Sequence, residues 1–491
     1  LASDLIEGRK AKLKALREAG IEPYAYSFEA SHSCGRVLEA AQELEASGAE
    51  VSVRGRLVSW RGHGKAAFGH VADRSGRLQI YLKQDVLGED RYALSRLLDI
   101  GDIIGAAGTV FRTRTGEITL SVESFTILAK AVRPLPEKWH GLRDVEIRAR
   151  RRYLDLIANE EARSVALRRS RMVRAAREFL DGEGYVEVET PILQPIYGGA
   201  FAEPFSTFHA SLDEKLFLRI SNELYLKRLI VGGMEKVYEI GKDFRNEGMD
   251  RLHNPEFTQL EFYEAYADYN RMMDVVERLI CHVVRSVSGG LTLQFDGETV
   301  DFTPPWRRLG LIEAVSAACG REVSSLAAGD LRGICNERGL EVKGPMTRGK
   351  LLEALFDGLV QRDLVQPAFV LDYPRELSPL AKAKRGNPVL VERFEPYAGR
   401  MELGNAFSEQ NDPAEQGEAF RAQGELRRLG DLEAQVMDED YVEALEHGMP
   451  PTGGVGLGID RLAMLVTGSS NIRDVILFPH MRTVPPGAES D

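Results

Sequence analysis

The first twenty residues, LASDLIEGRKAKLKALREAG, set apolar side chains at Leu5, Ile6, Leu13 and Leu16 among charged ones. That spacing predicts a helix over 3–19, capped by Ser3 or Asp4 and stopped at Gly20. Its polar face is rich in Lys and Arg, as a solvated surface would be. From residue 51 the period changes. VSVRGRLVSW alternates, and AAFGHVAD, GRLQIYLK, DIIGAAGTVFRTRTG and EITLSVESFTIL follow, separated by turn signals such as DRSG and RTRTG. These predict short strands, interrupted by one helical run, DRYALSRLLD. A small five-stranded barrel over 51–130, preceded by a helical extension over 1–50, accounts for the pattern. The stretch 131–150, AVRPLPEKWHGLRDVEIRAR, holds two prolines and a charged run and reads as a linker. An amphipathic helix over 161–182 then ends at Gly182 or Gly184 and leads into the alternating run YVEVETPIL. Beyond it, helical runs such as MMDVVERLICHVVRSV and RGKLLEALFDGLVQRDLV are separated by strands in no βαβ rhythm. This predicts an α+β domain over 151–491 built on an antiparallel sheet.

Composition narrows the class. The 491 residues are 43% hydrophobic and 28% charged, which excludes disorder as the main state. No apolar run reaches the ~18–20 residues of a membrane span, and the N-terminal stretch has no signal-peptide core. Cys34, Cys281, Cys319 and Cys335 form no CxxC pair, which argues against a zinc knuckle. Cysteines so few and scattered fit a reducing compartment, so a cytoplasmic protein is expected. The net charge of −12 argues against broad nucleic-acid binding. The distribution is uneven, however. Residues 51–150 carry 17 Lys and Arg against 11 Asp and Glu, a balance of +6 that leaves −18 for the rest. A basic module joined to an acidic body suggests that the barrel meets a polyanion. An oligonucleotide-binding barrel would use Arg54, Arg56, Arg61 and Lys65 for charge and Phe68 and Tyr81 for stacking.

Three segments carry candidate chemistry. FLDGEGYVEVETPIL (179–193) is a helix followed by a strand that ends at Pro191. YEIGKDFRNEGMDRLHNPEFTQLEFYEAYADY (238–269) reads as two strands around a loop with Arg245, Glu247, Arg251 and His253. GGVGLGIDRLAMLVTG (453–468) is a glycine-rich strand running into a helix with Arg461. The last does not satisfy GxGxxG, and no GxxxxGK[ST] occurs anywhere. In this order, the three resemble the signature motifs of class II aminoacyl-tRNA synthetases. GKAAF, RPLPEKWHGL, RYLDLIANEEAR, NELYLKRLIVGG, ELSPLAK, ELGNAFSEQND, DYVEALEHGMPPTGGVGLGIDRLAMLVTGS and IRDVILFP are similar to lysyl-tRNA synthetases of bacterial type, within class IIb. The likeness runs from the barrel to about Pro479.

The resemblance implies a homodimer with Pro191 at its interface, ATP as co-substrate, Mg2+ as cofactor, and lysine and tRNA(Lys) as substrates. Arg245 would bridge the amino-acid carboxylate and the α-phosphate, as a planar guanidinium can bond two anions. Arg461 would hold the γ-phosphate side and cover adenine, with Phe257 on its other face. Glu247 would accept from the adenine amino group, and His253 and Asn254 would assist at the triphosphate; Gly458 belongs to the same ATP site. Glu395 and Glu402 match the metal positions, and magnesium prefers such oxygen ligands. Gly199, Glu223, Glu261, Tyr263, Asn405, Phe407 and Glu409 would line the lysine pocket beside Arg245. Glu409 and Tyr263 would hold the ε-ammonium, Glu223 and Glu261 the α-amino group, Asn405 the carboxylate, and Phe407 the methylenes. That set is rich in carboxylates and contains no cation, which suits a cationic side chain and not aspartate. Arg61, Phe68 and Gln79 match anticodon-reading positions. An acidic contact near the last barrel strand falls on Glu123 or Ser124, one register step apart. Gln410 stands where Leu is expected and would abut the pocket.

Other readings are an aspartate or asparagine enzyme, disfavoured by the acidic pocket, and a paralogue that lysylates a protein, disfavoured by the barrel. A non-catalytic RNA-binding relative would have lost some of Arg245, Glu395, Glu402, Glu409 or Arg461, and all are present.

Overall fold

In the computed structural model the chain divides into two compact units, Leu1–Arg143 and Asp144–Asp491. The structure describes residues 2–136, 142–342, 346–428 and 434–483. Of the stretch 131–150, residues 137–141 lie outside the described residues. Val145–Arg150 is a helix of the second unit, whose N-cap Asp144 accepts from the Ile147 amide.

The first unit opens with α1 (Ala2–Glu18). Five strands then close into a barrel: β1 (Glu50–His63), β2 (Ala66–Ala72), β3 (Arg77–Lys83), β4 (Ile103–Arg112) and β5 (Ile118–Ala129), in the order β1-β2-β3-β5-β4. Alternation drives closure. On β3, Leu78, Ile80 and Leu82 are buried while Gln79 and Tyr81 between them face outward. The helix expected over 90–99 runs as Glu89–Leu94 and a 3-10 turn, Ser95–Leu97, and a further short helix, Gln84–Leu87, precedes it. Gly88, at φ 81° in a region that L-residues avoid, separates the two helices.

The second unit is built on a nine-stranded sheet. Its strands are β6 (Val186–Glu187), β7 (Lys236–Phe244), β8 (Glu256–Ala265), β9 (Arg307–Gly310), β10 (Ala368–Leu371), β11 (Arg393–Ala398), β12 (Met401–Glu402), β13 (Gly404–Ser408) and β14 (Thr452–Gly458). The order is β9-β10-β11-β13-β14-β8-β7-β6, with β12 on β11. Only the outermost pairs, β9–β10 and β7–β6, are parallel; the pairs between them are antiparallel. YVEVETPIL contributes just two residues to the sheet. It forms the edge strand, and Pro191 has no amide hydrogen to extend the ladder.

Side-chain alternation gives the sheet two different faces. Leu260, Phe262, Phe394, Ala406, Val455 and Leu457 point to one face and share a core with α2 (Glu160–Gly182), α4 (Tyr269–Ser288) and α7 (Ile459–Thr467). The opposite face carries Glu261, Tyr263, Arg393, Glu395, Asn405 and Phe407. It is flanked by α3 (Glu223–Val231), α5 (Pro413–Arg428) and α6 (Glu439–Glu446), which contribute to a second core. α4 is fixed at both ends. Asp268 caps the first turn through the Asn270 and Arg271 amides, and Gly289 stops the helix at φ 80°.

Candidate active site

The polar sheet face forms the floor of a cavity of about 340 Å³. Cross-strand register explains its layout. Asn405 faces Gly456, which faces Glu261; Phe407 faces Gly454, which faces Tyr263. Two glycines thus separate two walls of functional side chains. A Cβ on Gly454 would lie 1.9 Å from Glu409 Oε1, and one on Gly456 would lie 2.6 Å from Gln259 Nε2. The glycine-rich run 453–458 is therefore a flat floor that keeps room for a ligand.

All sixteen expected residues of this unit's active site line the cavity: Gly199, Glu223, Arg245, Glu247, His253, Asn254, Phe257, Glu261, Tyr263, Glu395, Glu402, Asn405, Phe407, Glu409, Gly458 and Arg461. At one end, Arg245 leaves β7 and lies over the Phe257 ring at 5.1 Å. Its Nε is buried without a hydrogen-bond partner. Arg461 projects from the first turn of α7. Its Nη1 donates to the Glu402 carbonyl at 2.9 Å and to Glu402 Oε2 at 3.0 Å. Its Nη2 lies 3.0 Å from His253 Nε2, and His253 Nδ1 lies 2.8 Å from Asp250 Oδ2. A guanidinium can only donate, so Nε2 accepts and Nδ1 carries the proton. Asn254 is occupied with backbone. Its amide donates to the Glu256 carbonyl at 2.6 Å, and its Oδ1 accepts from the His480 amide at 3.2 Å.

Glu395 is buried and satisfied by Arg393 at 2.5 Å, Tyr373 at 2.6 Å and Tyr397 at 2.8 Å. Burial pushes its carboxyl up to about 7, against the pull of Arg393 and with repulsion from Glu402 and Glu353 adding to it. Arg393 also donates from Nε to Asn405 Oδ1 at 2.8 Å, so one buried guanidinium orients residues of two subsites. Strand spacing alone could have found it, since it sits two residues before Glu395 on the same face.

At the other end, Glu261 accepts from Ser221 at 2.8 Å, Gln259 at 2.9 Å and Tyr263 at 3.0 Å. The Tyr263 hydroxyl is thus spent on Glu261. Burial pushes the Glu261 carboxyl up to about 8, aided by repulsion from Asp243 and Glu223. A cation that the sequence did not single out stands just outside the cavity lining. Lys227 lies fully buried behind the pocket wall, 2.5 Å from Glu223 Oε1 and ion-paired to Glu409 Oε2. The expectation for Gln410 is corrected. It is absent from the cavity lining and turns toward α5, donating to Glu415 at 2.9 Å and accepting from the Asp412 amide at 3.0 Å.

On the barrel, Arg61 pairs with Phe68 and Phe68 with Tyr81 across β1, β2 and β3. Phe68 is 38% exposed and packs on Tyr81 with ring centroids 4.5 Å apart, so it is a surface platform and not core. The adjacent row places Ser59, His70 and Gln79 side by side. Gln79 donates to Glu117 Oε2 at 2.7 Å and accepts from Thr119 at 2.7 Å. Glu117, which the sequence did not single out, is thus the acid bonded to Gln79. Glu123 and Ser124 lie beyond the β3–β5 pairing, which ends at Leu82 and Val122. Pro191 is exposed at the edge of the other unit's sheet.

Residues 144–482 match the family of tRNA synthetases class II (D, K and N). The chain belongs to the class II tRNA synthetases. Residues 51–128 match the OB-fold nucleic acid binding domain. The chain is 52% identical to a lysine–tRNA ligase of Moorella thermoacetica over 481 residues, covering 98% of each chain. It is 51% identical to one of Syntrophomonas wolfei over 481 residues, covering 98% of this chain and 97% of that one. Identity of about half along nearly the whole chain sets it among the lysine–tRNA ligases of class II. As a class II synthetase it is an enzyme with ATP-dependent catalysis. Among the described residues, no helix is long and apolar enough to cross a membrane.

Proposed function

We propose that this synthetase joins L-lysine to ATP as lysyl-adenylate and transfers the lysine to the 3′ end of tRNA(Lys). The observation that carries the reading is one cavity with three carboxylates, Glu223, Glu261 and Glu409, at one end and Arg245 at the other. Lysine presents two ammonium groups and one carboxylate, which is the complementary charge pattern. Glu409 takes the ε-ammonium and Glu223 and Glu261 the α-ammonium, with Gly199 leaving them room. Phe407 packs on the methylenes. Asn405, fixed by Arg393, meets the carboxylate together with Arg245.

In the first step a lysine carboxylate oxygen forms a bond to the α-phosphorus, and the bond to pyrophosphate breaks. Positioning and charge neutralisation supply most of the catalysis. Arg245 bridges the attacking carboxylate and the α-phosphate. Arg461 and His253 meet the outer phosphates, while Phe257 and Glu247 hold adenine. Asn254, committed to backbone, shapes the His253 loop. Glu395 and Glu402 fit Mg2+, because two oxygen donors that repel each other suit a hard cation sharing phosphate ligands. Bound there, Mg2+ would neutralise charge on the phosphates. In the second step the terminal ribose hydroxyl of tRNA attacks the adenylate carbonyl. AMP leaves, and its phosphate takes up the hydroxyl proton.

Pairing of two copies is supported by apolar side chains exposed around Pro191: Ile192 at 43%, Ile196 at 40% and Phe208 at 59%. Large apolar side chains left in water are what a pairing surface would cover. The four cysteines are all free and buried, which fits a reducing cytoplasm. Arg61, Phe68 and Gln79, with Glu117, would read the anticodon. Phe68→Ala is expected to lower kcat/KM for tRNA by about 5- to 150-fold, from ~1–3 kcal/mol of base stacking. ATP–pyrophosphate exchange without tRNA should stay unchanged. Equal tRNA charging by the variant would remove Phe68 from recognition.

Lysine binding is also expected to release protons. Below pH 8 the raised Glu261 carboxyl holds a proton in the free protein, and a bound ammonium favours the ionised form. At pH 7, calorimetric binding heats should differ between phosphate and Tris by the amount expected for roughly one proton released. Identical heats at pH 7 would contradict the assignment.

A further inference from the structure

Lys227 lies outside every subsite assigned above, yet it is fully buried against two residues of the lysine pocket. It is placed there by α3, where Glu223 and Lys227 stand four residues apart on one helix face. Its Nζ sits 5.4 Å from the centre of the Phe407 ring and 6.0 Å from that of Tyr441 on α6. The groups facing this cluster are Glu223 from α3, Glu409 after β13, Glu261 and Tyr263 from β8, Tyr441 from α6, and Arg228, whose guanidinium lies over Tyr441 at 5.5 Å. Glu409 Oε1 is buried and without a hydrogen-bond partner, facing the glycine floor at Gly454. Lys227 does not line the cavity itself.

A count of charge gives the residue its meaning. Three carboxylates face two ammonium groups of the substrate, so one negative charge would be left over in a dry pocket. Buried charge without a partner is strongly disfavoured, and one carboxyl would keep a proton instead. Lys227 supplies the third positive charge. It also pins Glu409 from behind through Oε2, leaving Oε1 toward the ligand.

We propose that Lys227 is a positioning residue that sets lysine specificity: its buried ammonium holds Glu409 and Glu223 in place and lets both be ionised when lysine is bound. This rests on the lysine reading above. An exposed Glu–Lys pair at this helical spacing would contribute almost nothing. The burial of this pair makes the difference.

The test is lysine-dependent ATP–pyrophosphate exchange on the full-length protein and on Lys227→Met and Lys227→Arg, from pH 6.5 to 8.5. Lys227→Met should raise KM for lysine at least about 30-fold at pH 7. The rise should shrink as pH increases and the leftover proton is lost, while KM for ATP stays within about twofold. Lys227→Arg keeps the charge and should stay within about tenfold of the wild type, with the wild-type pH profile. If Lys227→Met does not fold, Lys227→Gln, whose amide still donates one hydrogen bond, carries the same test. An unchanged lysine KM in the neutral variant overturns the proposal, as does a rise that is equal at every pH. If the wild type itself shows no exchange with lysine, the lysine reading fails first. If the wild type exchanges and the variants match it, only the role of Lys227 fails.

Discussion

Arg245→Lys is expected to lower lysine-dependent ATP–pyrophosphate exchange by roughly 10³-fold, with the fold intact. The side chain is held over the Phe257 ring, and its Nε is buried without a hydrogen-bond partner. A guanidinium in this position has donors to spare for two anions at once, the lysine carboxylate and the α-phosphate. An ammonium is a point donor and cannot fork between them. Losing one preorganised donor at a developing charge costs about 3–4 kcal/mol, close to three powers of ten in rate. The loss should fall mainly on kcat, because the contact strengthens as the new P–O bond forms. Thermal stability should barely change. A variant with near-normal kcat would mean that Arg245 does not bridge the reacting groups.

Glu409→Gln is expected to remove most lysine activation while sparing ATP binding. Glu409 is 1% exposed and ion-paired to Lys227. Replacing the acid by an amide removes the counter-charge of the substrate ε-ammonium and leaves Lys227 facing it. Breaking one side of a desolvated ion pair costs roughly 2–5 kcal/mol, or about 30- to 5,000-fold in kcat/KM for lysine. The two variants should separate cleanly. Arg245→Lys acts on kcat, whereas Glu409→Gln acts on lysine affinity. Steady-state exchange at varied lysine, with ATP binding measured independently, distinguishes them.

Much of this arrangement was legible in the sequence, because it rests on local periods. Leu78, Ile80 and Leu82 announce a half-buried strand, and the barrel follows from five such runs. Glu261 and Tyr263, two residues apart, must share a sheet face, and so must Asn405 and Phe407. The loop between β7 and β8 was visible as polar residues between two alternating runs. What stayed hidden depends on burial, which is not local. Lys227, four residues after Glu223, reads as a solvated helix residue, and only the packing of α3 against β8 and α6 buries it behind the pocket wall. Glu117 ends a turn in sequence, yet the parallel pairing of β3 with β5 sets it against Gln79. Gln410 is adjacent to Glu409 in sequence, but its side chain points to the opposite side of the chain. YVEVETPIL has strand periodicity and lacks the neighbours to pair along its length.

The central claim is that this cavity selects lysine and activates it with ATP. Its most direct test is amino-acid-dependent ATP–pyrophosphate exchange without tRNA, across the twenty amino acids plus ornithine and β-lysine. The account predicts exchange with lysine. Ornithine should be slower by about 10- to 200-fold, as one missing methylene is worth only ~1–3 kcal/mol. Aspartate and asparagine should support none, since three carboxylates face their side chains. Exchange driven by aspartate, asparagine or β-lysine in preference to lysine, or no exchange at all from folded protein, would contradict it.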